Sequence, residues 1–173
     1  SCETHKNKNL KNFSGYPNNL KICKKCLLIF RNKNTQQRFK NVIALKKFND
    51  IRRFDSLSNK VENDIIFLDK LLKILNVTKK IYALDYGCGY GSFLKALQIK
   101  KINGYGFDIN EFFYKNLRKK FNMFRKKKDI EYFNKKFDII FLRKVLNLSP
   151  NPVQDFLFFK KKLNIGGHIV ILD

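Results

Sequence analysis

The sequence predicts an α/β chain: a doubly wound, mostly parallel sheet with a small amino-terminal module ahead of it. Three observations carry this. The apolar run Ile81-Tyr82-Ala83-Leu84 meets a carboxylate, Asp85, and then glycines at 87, 89 and 91, before Ser92–Leu97 opens a helix. A second run, Gly104–Phe107, ends in another carboxylate, Asp108, 21 positions after Gly87. The third observation is a pair of short cysteine or histidine spacings, Cys2 to His5 and Cys23 to Cys26, within the first 30 residues. A strand, a glycine turn and a helix at the carboxyl edge of a parallel sheet is where doubly wound folds bind nucleotides. The later carboxylate stands near the spacing of about 20 at which an acid meets ribose hydroxyls.

Composition sets the bounds. A chain of 173 residues, 44% hydrophobic and 14% aromatic, suits one domain with a small appendage and can bury a core. No apolar run reaches transmembrane length, and the Lys- and Asn-rich start has no secretory h-region, so the expectation is a cytoplasmic protein. The formal charge of +23 invites a nucleic-acid reading. Lysine outnumbers arginine 30 to 7, however, a bias that adenine- and thymine-rich codons produce without any partner. Nucleic acid is therefore a possible partner and not the favoured one. The runs Arg118–Lys120 and Arg125–Lys128 read either as a solvated face or as a basic rim for an acidic substrate.

In chain order, residues 1–35 are expected to form a zinc-binding module. Cys2, His5, Cys23 and Cys26, with 17 residues between His5 and Cys23, match the two knuckles of a zinc ribbon, whose closed tetrahedral shell lets a polar segment fold. Free thiols are the plain alternative; a redox CxxC lacks the surrounding strand and helix. Residues 36–58 read as a linker. Val61, Ile65, Leu68, Leu72 and Leu75 make one face of a helix over about 59–76, which opens the main domain at 59–173. After the glycine turn and Asp108 come a helix over 111–120, a weak strand over 121–125, and a strand over 137–142. A helix over 153–163 follows, with Gly166-Gly167 as its stop. A fifth strand then runs toward Asp173, where the sheet is expected to be truncated.

Four of these segments, in order across residues 81–172, resemble the class I S-adenosylmethionine-dependent methyltransferases, with their Rossmann-like fold. They are Leu84–Gly91, Gly106-Phe107-Asp108-Ile109, Lys135–Leu142 and Leu163–Ile171. A dinucleotide dehydrogenase would need a third glycine at position 92, which is Ser92. The resemblance implies S-adenosylmethionine as cofactor, with Asp85, Gly87, Cys88, Gly89, Gly91, Asp108, Ile109, Asp129, Ile130 and Arg143 around it. In that reading Asp85 orders the turn and meets the cofactor's amino end, Asp108 holds the ribose diol, and Cys88 packs. Asp129 and Ile130 stand where the family places a carboxylate and an apolar neighbour beside the adenine. Many relatives carry a Glu-His pair where this chain has Asn147-Leu148, so the catalytic base is left unassigned. The cysteine-rich start is similar to the module of a branch that includes sugar C-methyltransferases, which implies a small-molecule acceptor, a sugar or glycan precursor first. An RNA- or protein-directed enzyme and a non-catalytic binding module are the alternatives, and the oligomeric state is left open.

Overall fold

The computed structural model describes residues 10–12, 20–23, 29–31 and 57–172. The chain divides into two compact units, Ser1–Ala44 and Leu45–Asp173. In the first, strands β1 (Leu10–Asn12), β2 (Leu20–Cys23) and β3 (Ile29–Arg31) pair antiparallel in sequence order. Cys23 closes β2, in register with Leu10. Cys2, His5 and Cys26 lie outside the described residues.

In the second unit, α1 (Ser58–Ile74) precedes β4 (Tyr82–Tyr86), α2 (Ser92–Ile99), β5 (Asn103–Phe107) and α3 (Glu111–Leu117). These are followed by β6 (Asn122–Phe124), α4 (Lys127–Tyr132), β7 (Phe137–Arg143), α5 (Pro152–Lys162) and β8 (Leu163–Leu172). The sheet order is β6-β5-β4-β7-β8, with every neighbouring pair parallel. The chain thus winds outward from β4 to one side, then returns and winds to the other. The order reverses between β4 and β7, and in such sheets the crevice for a ligand opens beyond the carboxyl ends at that reversal. No helix among the described residues is long and apolar enough to cross a membrane.

Period-two alternation sorts the core onto two faces of the sheet. Ala83, Ile139 and Phe141 face a layer built with Leu68 of α1, Phe93, Leu94 and Leu97 of α2, and Phe113 and Leu117 of α3. Leu84, Ile140 and Leu142 face the other layer, with Phe107, Phe124, Phe137, Ile130 of α4 and Phe159 of α5. Burial on both faces explains why the central strands read as continuous apolar runs.

Several boundaries differ from the sequence expectation. The helix expected to reach residue 120 ends at Leu117, because the amides of Lys120 and Phe121 both close on Leu117 O and turn the chain into β6. Helix α4 was not anticipated; six residues are too few to show a period. The pair Gly166-Gly167 does not stop a helix. Helix α5 ends at Lys162, and the glycines lie in an irregularity of β8, between Leu163 opposite Phe137 and His168 opposite Ile139. Gly166 has φ 75°, which explains a glycine there. The start of α5 follows the expected signal, with Asn151 accepting from Gln154 N at 3.2 Å and Pro152 in the first turn.

Candidate functional site

The carboxyl ends of β4, β5 and β7 converge on one site. From β4 the chain enters the turn through Gly87 (φ 88°), Gly89 (φ 51°) and Gly91 (φ 81°), all in the left-handed region that a Cβ disfavours. The turn is stitched to the end of β5, since Gly87 N and Cys88 N both donate to Phe107 O, at 2.7 and 3.0 Å. Directly after β5, Asp108 clamps the same turn: its Oδ2 accepts from Gly89 N at 3.0 Å and its Oδ1 from Asn110 N at 2.9 Å. Burial raises the Asp108 pKa against the pull of these two amides. Each oxygen retains lone-pair capacity for a further donor. Ile109 stands beside it, 52% exposed, as an apolar wall open to a ligand.

The three glycines serve different ends. A Cβ at Gly89 would meet nothing within 4 Å, so this apex, its amide held by Asp108, has open space beside it. At Gly87 a Cβ would stand 2.1 Å from Val145 Cγ1, and at Gly91 2.8 Å from Leu117 Cδ2. There the missing side chain makes room for the protein itself. Lys144, with φ 54°, turns the chain sharply out of β7 and lays Val145 on the turn. Gly87→Ala is expected to cost about 2–4 kcal/mol in urea unfolding, combining the left-handed backbone with overpacking. Val145→Ala in the same chain should recover the overpacking part only. A neutral Gly87→Ala would show that the crossing segment does not require the glycine.

Asp85, the last residue but one of β4, is 2% exposed, and its Oδ1 has no hydrogen-bond partner. Its pKa is raised to about 7; burial is the main cause, Arg143 opposes it, and Asp64 and Asp108 add to it. Arg143, from the end of β7, lies with its Nη1 3.1 Å from Asp64 Oδ1 and its guanidinium 4.3 Å over the Phe93 ring. That contact is an ion pair without hydrogen-bond alignment, so Nη1 too is buried without a hydrogen-bond partner. Asp64 Oδ2 accepts from Ser92 Oγ at 2.9 Å, which ties α1 to the first residue of α2. Sequence reasoning missed Asp64 and Ser92. The available signal was a carboxylate standing three residues from Val61 and four from Leu68, on the apolar stripe of α1.

Other expected residues have different surroundings. Asp129 Oδ2 accepts from the amides of Arg125 and Lys126, at 3.0 and 2.8 Å, and so caps α4. Ile130 is fully buried among Phe107, Phe124 and Phe137. It is a core residue rather than a ring cover, whereas Asp129 is exposed and makes both cap bonds through one oxygen. Cys88 is buried and its thiol is pushed well up, chiefly by burial, which keeps it protonated and inert. The Tyr86 hydroxyl is also pushed up, by burial first and then by Asp155 and Asp108. Among the described residues no group of three or more His, Cys, Asp or Glu could hold a metal.

The arrangement suits an elongated ligand with a cationic end and a diol. Asp85 keeps a buried carboxylate oxygen without a hydrogen-bond partner, Gly89 leaves the turn open, and Asp108 is held by two amides with lone pairs to spare.

The sequence model of a family described as a methyltransferase domain matches residues 60–173. No curated protein matches the chain in sequence. Solved structures are similar in fold. The plantazolicin methyltransferase BpumL, in complex with S-adenosylhomocysteine, is 24% identical, with TM-score 0.54, over 79% of this chain and 61% of that one. The plantazolicin methyltransferase BamL is 20% identical, with TM-score 0.52, over 75% and 55%. A protein of Methanococcus maripaludis described as an S-adenosylmethionine-dependent methyltransferase is 15% identical, with TM-score 0.54, over 82% and 64%. The chain therefore spans less than two thirds of the length of each.

Proposed function

Since the chain belongs to the methyltransferase-domain family, we propose that its second unit transfers a methyl group from S-adenosylmethionine to a small-molecule acceptor, with a sugar or glycan precursor as the first class to test. One observation carries the cofactor assignment. The unpartnered Asp85 Oδ1 and the doubly held Asp108 carboxylate flank the open Gly89 apex at the carboxyl ends of the strands, beside the reversal of strand order. When bound, S-adenosylmethionine supplies a methyl group on a sulfonium, already a good leaving group, so the protein's task is alignment and exclusion of water. Asp85 would meet the cationic amino end and Asp108 the ribose hydroxyls, with Ile109 against the nucleoside. Arg143, anchored by Asp64 and Phe93, would sit at the amino-acid end beside Asp85.

The test is calorimetric titration of the full chain with S-adenosylmethionine, then methyl transfer from labelled cofactor to a panel of sugar nucleotides, azole peptides and RNA. Micromolar binding with turnover on a sugar nucleotide supports the reading. Turnover confined to peptide or RNA replaces the acceptor, and a folded chain that binds no cofactor overturns the assignment.

For the first unit we propose a structural zinc held by Cys2, His5, Cys23 and Cys26. The spacing supports it, as does the position of Cys23 at the end of β2, with Cys26 following in sequence before β3. About one zinc per chain by elemental analysis, lost in Cys23→Ser, is the expected result. A metal-free folded chain would overturn it.

A further inference from the structure

In a parallel sheet the segments that lead into strands lie at the amino edge, opposite the site just described. Lys80 leads into β4, Lys101 into β5, and Arg118, Lys119 and Lys120 into β6. These five cations, all exposed, line one cleft of about 450 Å3, and no carboxylate lines it. Strands of five residues put it about 17 Å from the carboxyl edge.

Among the described residues most lysines of this unit have no counter-ion, so what sets these cations apart is their gathering in one cleft that no carboxylate lines. Elsewhere in this unit Lys100 pairs with Asp69, Lys115 and Arg125 with Glu111, Lys127 with Asp155, and Arg143 with Asp64. Among the described residues none of the cleft's four lysines is in an ion pair, and Arg118 lies 5.8 Å over the Tyr114 ring. Lys101 holds φ 56° just past the end of α2, where glycine is the usual residue and a side chain costs about 1 kcal/mol. A lysine at that strained position keeps its charge in the cleft. Among the cations the wall holds the half-buried ring of Phe121, one side of it packed on the core, and Gln98, whose Oε1 accepts from Lys95 Nζ at 3.0 Å. Unpaired cations around an aromatic side chain are what a sugar–phosphate backbone and its bases require.

We propose that this cleft binds the backbone of a single-stranded nucleic acid, on the sheet edge opposite the cofactor site. The test is fluorescence anisotropy of the full chain with a labelled oligouridylate octamer at several salt concentrations. Lys101→Gln/Lys119→Gln/Lys120→Gln is compared with Lys70→Gln/Lys73→Gln/Lys160→Gln, three exposed lysines outside the cleft. The cleft variant is expected to weaken binding by about tenfold or more and to flatten the log–log salt slope by about 2, three contacts at roughly 0.7 each. The control should lose less than about threefold. Equal losses in both would mean diffuse attraction and overturn the proposal, as would a parent chain that does not bind. Inorganic tripolyphosphate displacing the octamer at equal phosphate concentration would make the ligand a small polyphosphate and overturn the nucleic-acid assignment. The cleft variant should bind S-adenosylmethionine as the parent does, which separates this test from that of the cofactor site.

Discussion

Asp108→Ala is expected to weaken S-adenosylmethionine binding by at least about 100-fold in a calorimetric titration. Two effects add. The carboxylate would accept from the ribose diol, and each charge-assisted hydrogen bond is worth about 1.5–3 kcal/mol. The same group also fixes the turn, through Gly89 N on one oxygen and Asn110 N on the other. Alanine leaves both amides without this acceptor and lets the open apex drift. Asn110 caps α3 by accepting from Phe112 N at 3.0 Å, so the entry to that helix loosens as well. Asp108→Asn retains one carbonyl acceptor and should fall between the parent and alanine. A urea midpoint near that of the parent would show that lost affinity is not lost fold. Parent-like affinity in Asp108→Ala would remove Asp108 from the cofactor site.

The sequence makes the frame legible because the frame depends on local rules. Apolar runs bounded by glycine mark β4 and β5, and the Asn-Pro signal marks the start of α5, since capping and strand burial act within a few residues. What fills the space beside a glycine is not local. Gly87 and Gly91 read like Gly89 in sequence, yet the first two accommodate Val145 and Leu117, 58 and 26 residues away in the chain. The same holds for charge. Asp64 looks like an interruption of an amphipathic stripe until α1 docks and brings it to Arg143 and Ser92. Asp129 followed by Ile130 fits a binding pair by position, whereas packing turns one into a cap and the other into core. The lysine excess, too, is visible in the composition. Its convergence on one edge follows only from the order of the strands.

Asp85 should make stability and cofactor affinity respond to pH in opposite directions. Its folded pKa, about 7, lies above the ordinary value of 3.8, so the folded chain keeps a proton that the unfolded chain has released. Its contribution to stability is fully present below pH 3.8 and is lost as pH rises toward and through 7. Across that window the loss amounts to about 4 kcal/mol. Asp85→Asn cannot ionise, so its unfolding free energy should lack this fall and exceed the parent's above neutrality. Binding runs the other way. A cationic amino end favours the carboxylate, so affinity should rise about tenfold per pH unit below 7 and level off above it. Asp85→Asn should bind weakly at every pH and without that slope. Arg143 already opposes the shift, and removing it by Arg143→Met should push the Asp85 pKa higher and move the binding profile to higher pH. A parent whose affinity is flat from about pH 5.5 to about pH 8 would mean that the buried carboxylate meets no cation. Asp85 would then serve the turn alone, and the cationic end of the ligand would have to lie elsewhere.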